Sequence, residues 1–165
     1  ARNSESDPFV STKFKAIYEN TLELCSEKIK NRNIDIIFEA HSDFNILCRE
    51  SQMIQVLLNL LNNSVDAVDS LEKKWIKVST TENENYFIIK VTDSGFGIPS
   101  DVAHKVMQPF FTTKDVGKGT GLGLSISKGI LEEHGAHIHY DIDSRNTSFQ
   151  IDFPKRGKEI IASVA

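Results

Sequence analysis

Apolar positions along the chain recur first at helical spacing. Phe14, Ile17, Leu22, Leu24 and Ile29 loosely follow the helical period, and the polar run at 30–33 closes the segment, which predicts a helix over 14–29. Two short apolar stretches, 34–40 and 45–48, are split by a polar interruption and suit brief strands. Residues 50–71 are the longest periodic segment, with Ile54, Leu57, Leu58, Leu61, Val65 and Val68 on one helix face. Alternation then takes over at 75–81 and 86–93, around a polar turn at 82–85, and predicts an antiparallel pair. Between 94 and 120 the punctuation is dense: Gly95, Gly97, Pro99, Pro109, Gly117 and Gly119, with one short helical stretch near 101–107. A helix over 121–134 and a closing hairpin, 137–143 with 147–153, complete the pattern. With no internal repeat, this order predicts an α+β two-layer sandwich, helices gathered on one face of a mixed sheet.

The totals narrow the class. A chain of 165 residues, 39% hydrophobic and 25% charged, is sized for one core-bearing domain, expected over 14–154, with a flexible segment at 1–13 and a loose tail at 155–165. The leading segment is expected to be the end of an upstream linker or dimerisation helix. A formal charge of −4 leaves no bulk basic field, so recruitment by nucleic acid or an anionic membrane surface is not expected. Cys25 and Cys48 form no close-spaced ligand pattern, which reads as a reducing, cytoplasmic setting. No apolar run approaches the length of about 18 residues that a spanning helix needs.

Four features carry chemistry. Asn59, Asn62, Asn63 and Asp66 stand at i, i+3, i+4 and i+7, so they share one helical stripe. Asn costs helix stability relative to the Glu, Lys and Arg of an ordinary solvated face. The stripe is either an Asn-rich surface or a set of amide oxygens able to ligate a hard cation such as Mg²⁺ beside nucleotide phosphates. Strand alternation places Asp93 on the inward side with Phe87, Ile89 and Val91, where a buried carboxylate needs donors. An adenine amino group would supply one; an Asx turn with the following Ser94 and Gly95 is the alternative. The run from Gly117 to Leu124 enters a helix, leaving backbone N–H groups for an anion if it is more than a flexible loop. Pro109, Phe110, Phe111, Thr112, Thr113 and Lys114 would suit a lid hinge, although core packing accounts equally well for the aromatics.

Taken in order, residues 59–63 (Asn-Leu-Leu-Asn-Asn), 93–97 (Asp-Ser-Gly-Phe-Gly), 110–114 (Phe-Phe-Thr-Thr-Lys) and 119–124 (Gly-Thr-Gly-Leu-Gly-Leu) resemble the N, first G, F and second G boxes of sensor histidine kinase catalytic domains, members of the GHKL superfamily. The resemblance runs from about Phe14 to Pro154. It implies a mixed sheet under three helices, with ATP held between the helix layer and a mobile lid. By the same resemblance Asn63 is the Mg²⁺ ligand, Asn59 its neighbour near the phosphates, and Asp93 the acceptor for the adenine amino group. Asp66 belongs to the same ATP-binding stripe. Gly95, Gly97, Ile98, Leu124 and Thr147 would surround the base; Gly119, Thr120, Gly121, Leu122 and Gly123 would shape the phosphate loop. Phe111, Thr112, Thr113 and Lys114 would belong to the lid, with Lys114 and Asn59 assigned to catalysis. Departures from the family pattern are Met107 and Gln108 before the F box, Ala136 for the second glycine of a His-Gly-Gly run, and Asn146 for the glycine before Thr147.

ATP-hydrolysing relatives carry Glu at the position matched by Asn59, and an amide cannot serve as that general base. The resemblance therefore implies transfer of the γ-phosphoryl to a histidine on a separate dimerisation domain, then to a response regulator, rather than rapid hydrolysis. None of His41, His104, His134, His137 or His139 is followed by the Glu or Asp that marks the family's phosphoacceptor. His41 and His104 are expected in solvent, and His134 at a helix end, complementing the dipole. Two alternatives remain at this stage: a regulatory nucleotide-binding module without transfer, and an anti-sigma-type serine kinase.

Overall fold

A computed structural model describes residues 7–108 and 122–155. The first helix, α1 (Phe14–Asn31), buries Phe14, Ile17, Tyr18, Thr21, Cys25 and Ile29 along one face. Its end is set by Asn33, which adopts a left-handed φ of 56°, so that the Ile34 N–H reaches back to Ile29 O at 3.1 Å and the Asn33 N–H to Lys30 O at 3.1 Å. This is a Schellman closure, with Asn where glycine is commoner. Strand β1 (Val10–Lys13) precedes α1 and pairs antiparallel with β3 (Asn45–Cys48) as a separate two-stranded sheet. Residues 10–13, assigned on sequence to the segment ahead of the domain, are thus hydrogen-bonded to it.

The main sheet has the order β2 (Asp35–Ala40), β4 (Trp75–Glu82), β5 (Tyr86–Asp93), β7 (Ser148–Pro154), β6 (His137–Tyr140). Only β2 and β4 run parallel among these pairs, which makes the sheet mixed as expected. The two brief strands expected at 34–40 and 45–48 both exist, in different sheets. Helix α2 (Glu50–Val68) lies on β4 and β5, flanked by α1 on one side and α4 (Gly123–Glu133) on the other; a single turn, α3 (Ser100–Ala103), follows β5. Leu57, Leu60, Leu61 and Val65 of α2 belong to one buried core with Ile76, Val78, Ile89, Val91 and Ile151 of the sheet. Removing any one of these leucines would open a cavity costing about 2–5 kcal/mol. Both thiols are buried and free, and burial pushes Cys48 up to about 11, so it stays protonated.

Two consequences position the site. Because β5 sits between β4 and β7, its C-terminal residue is enclosed on both sides, and because α2 sits between α1 and α4, the Asn stripe is half-buried rather than open.

Candidate functional site

Asp93 is the last residue of β5 and only 2% exposed, on the same face as Ile89 and Val91. Its Oδ1 accepts the Gly95 N–H at 2.8 Å, and the hydroxyls of Ser64 and Thr147 hydrogen-bond to the carboxylate. Burial raises the pKa of this carboxyl, and the Gly95, Ser64 and Thr147 hydrogen bonds oppose that rise. The Asx turn weighed against a binding role is therefore present, and it is what turns the chain over the carboxylate. A side chain at Gly95 has no room: a Cβ there would stand 2.8 Å from both Asp93 Oδ1 and Thr147 Oγ1.

The loop after Asp93 is fastened from the hairpin side. Thr147 Oγ1 accepts the Gly97 N–H at 3.0 Å, and Gly95 O accepts the Thr147 N–H at 3.2 Å and Asn146 Nδ2 at 3.2 Å. Asn146, a departure from the family pattern, thus supplies a side-chain bond in its own right. Ser64 and Asn146 were missed as site residues. The signal for Ser64 was a polar side chain on the buried face of α2 between Leu61 and Val65; for Asn146 it was the departure itself.

Asn59 joins α2 to the start of α4: its Nδ2 lies 3.3 Å from Gly123 O and 3.3 Å from Ser127 Oγ. Gly123 approaches closely enough that a Cβ would stand 3.9 Å from Asn59 Cβ. Leu122 is the N-cap, where its carbonyl accepts the Ile126 N–H and the Ser125 hydroxyl, and α4 enters the site with its first N–H groups leading. Ile98 and Leu124 are partly buried against the core. Asn63 is half-buried one turn beyond Asn59 and adjacent to Ser64. Asp66 departs from this grouping: its Oδ1 lies 4.0 Å from Lys28 Nζ and 4.0 Å from Arg32 Nη1, so it faces the end of α1. Phe111, Thr112, Thr113, Lys114, Gly119, Thr120 and Gly121 lie outside the described residues.

The histidine expectations need one correction. His41, beside Glu39, and His104 are exposed, as expected. His134 does cap the C-terminal end of α4, but it is fully buried and does not serve as a charge on the dipole. Its Nε2 accepts the Arg49 N–H at 3.1 Å while Nδ1 faces Ile130 O at 2.8 Å, so Nδ1 carries the proton and the ring is neutral. Burial lowers its pKa, opposed by the Ile130 carbonyl.

Comparison with known proteins matches this arrangement. Residues 48–157 fit the family described as histidine kinase-, DNA gyrase B- and HSP90-like ATPases. Sporulation kinase A of Bacillus subtilis (strain 168) is 38% identical over 108 residues, covering 65% of this chain and 17% of the relative, so the chain spans about a sixth of that protein's length. Among solved structures, the catalytic domain of histidine kinase ThkA superposes with a TM-score of 0.77 at 32% identity, covering 89% of this chain and 97% of that one. A second ThkA structure, in complex with the response regulator protein TrrA, gives a TM-score of 0.77 at 29% identity over 92% of this chain and 43% of that one. With its buried Asp93, its Asn59 against α4 and these matches, the chain belongs to the histidine kinase-, DNA gyrase B- and HSP90-like ATPases, as an ATP-binding catalytic domain of the histidine kinase branch.

Proposed function

We propose that this domain holds Mg²⁺-ATP and presents the γ-phosphoryl to a histidine on a separate dimerisation domain, from which a response regulator receives it. The observation that carries the reading is Asp93: a carboxylate 2% exposed, with glycine beside it where a side chain would collide, is arranged for a flat donor rather than for packing. An adenine amino group matches that acceptor. Asn59 supports a kinase over a hydrolase, because its amide is committed to Gly123 O and Ser127 Oγ and has no basic lone pair with which to activate water. The response regulator is inferred from the ThkA relative, whose solved complex contains one.

Asn63 would hold Mg²⁺ through its amide oxygen. A neutral amide donor fits an ion that keeps several waters and whose charge is balanced by nucleotide phosphates. The bound ion would neutralise phosphate charge; the chain's own part is to orient the base through Asp93 and the phosphates through the start of α4. Phe111, Thr112, Thr113, Lys114 and residues 119–121 keep the lid and phosphate roles within this proposal. No helix among the described residues is long and apolar enough to cross a membrane. Two buried, unpaired thiols support a cytoplasmic setting for the domain.

The test combines the chain with the histidine-bearing helix pair of a sensor kinase relative and ATP labelled on the γ-phosphoryl. Label should appear on the helix pair as an acid-labile phosphohistidine, and only with Mg²⁺ present. Rapid release of inorganic phosphate by the chain alone, with no label on the helix pair, would overturn the reading.

A further inference from the structure

Tyr140 closes β6 at the edge of the main sheet, on the side of the strand that packs toward the core, with its ring tilted against Phe149 at a centroid distance of 5.6 Å. Its phenolic oxygen accepts the Ile98 N–H at 2.7 Å, a short bond reaching 42 residues back along the chain. Gly97, one residue earlier, has a left-handed φ of 92°, and a Cβ there would stand 2.9 Å from the same phenolic oxygen. The hydroxyl therefore fills the room that a side chain at 97 would take, and satisfies the next N–H of the loop.

Three N–H groups of this loop are taken in turn by side chains: Gly95 by Asp93 of β5, Gly97 by Thr147 just before β7, and Ile98 by Tyr140 of β6. Nothing in the pattern of motifs pointed to the third. We propose that Tyr140 is a positioning residue of the nucleotide site, its hydroxyl presetting the Gly97-Ile98 backbone so that the base meets an ordered wall; this rests on the reading of Asp93 as the base acceptor. A loop already fixed before binding loses less conformational freedom when the ligand arrives.

Tyr140→Phe keeps the ring on Phe149 and removes only the acceptor. Calorimetric titration of the 165-residue chain with ADP and, separately, with the ATP analogue AMP-PNP should show affinity weakened about three- to tenfold, by the same factor for both. Asp93→Asn is measured alongside. If Tyr140→Phe binds both nucleotides as the parent does while Asp93→Asn binds poorly, the hydroxyl is merely structural and the proposal falls, the base site standing. A lowered unfolding midpoint with unchanged affinity would sink the proposal in the same way. A loss confined to AMP-PNP would also overturn it, since the effect would then lie at the γ-phosphate. If neither variant changes binding, the base-site reading falls with it.

Discussion

Asp93 and His134 are two strongly buried titratable groups, 2% and 0% exposed, and burial pushes each toward its neutral form. Their surroundings differ. His134 has both ring nitrogens engaged, by Ile130 O and the Arg49 N–H, and aromatic neighbours in Phe9 and Phe153 at centroid distances of 5.0 Å and 6.2 Å. Arg49 in turn lies 4.6 Å from the centre of the Phe9 ring, and its Nε donates to Asp7 O. That corner is closed: every polar valence of the imidazole is used, and the gaps are filled by rings. Asp93 accepts from Gly95, Ser64 and Thr147, yet a carboxylate has room for about four hydrogen bonds, and glycine stands beside it. Burial of a polar group does not by itself mark a functional site; unused valence next to small residues does.

The largest effect expected from this contrast is on stability. His134→Ala removes a fully buried ring and orphans the Arg49 N–H, so unfolding in urea should show a loss of about 3–4 kcal/mol. The folded fraction should bind ADP as the parent does. If ADP affinity per folded molecule fell tenfold or more, the closed corner would belong to the site and the comparison would break.

At the open corner the consequences should be reversed. Asp93→Asn replaces an acceptor with an amide that presents hydrogens to the adenine amino group, and adenine nucleotides should bind about 30- to 100-fold more weakly, or about 2–3 kcal/mol. Stability should hold steady or rise slightly. Burial raises the Asp93 pKa, so its contribution is complete below the unfolded value of 3.8 and is lost as pH rises through the higher folded value. At neutral pH the folded state therefore carries the cost of a buried anion, which Asn removes. A lower urea midpoint together with unchanged ADP binding would make Asp93 a packing group.

How much of this was legible in advance follows from which forces leave a periodic trace. The core helix and the pair β4 and β5 were readable because burial writes itself at 3.6- and 2-residue spacing, and the same alternation carried Asp93 inward. Strand β1 was not readable: Val10 is 53% exposed, and Ser11 and Thr12 are held by backbone pairing with Leu47 and Ile46, which shows no hydrophobic pattern. Asn59 was found from its composition signal, and its actual partners, Gly123 O and Ser127 Oγ, required α4 to be placed beside α2. Asp66 shared the stripe by spacing, but Lys28 and Arg32 lie at the C-terminal end of α1, whose packing against α2 no local pattern encodes. Tyr140 escaped for the same reason, since its bond to Ile98 spans the width of the hairpin.

The smallest effect separates the two corners by pH alone. An unfolded chain takes up a proton on His134 near the ordinary value of 6.5, whereas the folded chain resists it because burial, with Arg49 nearby, lowers the pKa. A folded pKa below the unfolded one means that the contribution is complete above about 6.5 and is lost as pH falls toward the lower folded value. Stability should therefore decline from pH 7 toward pH 5.5, by at most about 1.4 kcal/mol per pH unit from this group. Arg49 opposes the protonated ring and Glu133, which also lies 3.8 Å from Arg49 Nη1, favours it, so the salt bridge between them moderates the slope. The contribution is isolated by measuring urea unfolding across this range for the parent and for His134→Gln, whose amide can accept the Arg49 N–H without titrating. The variant should show the shallower decline. Identical slopes would mean that the imidazole takes up its proton as readily in the folded chain as in the unfolded one, giving up the bond from the Arg49 N–H, and the closed corner would then be more tolerant of charge than its hydrogen bonding implies.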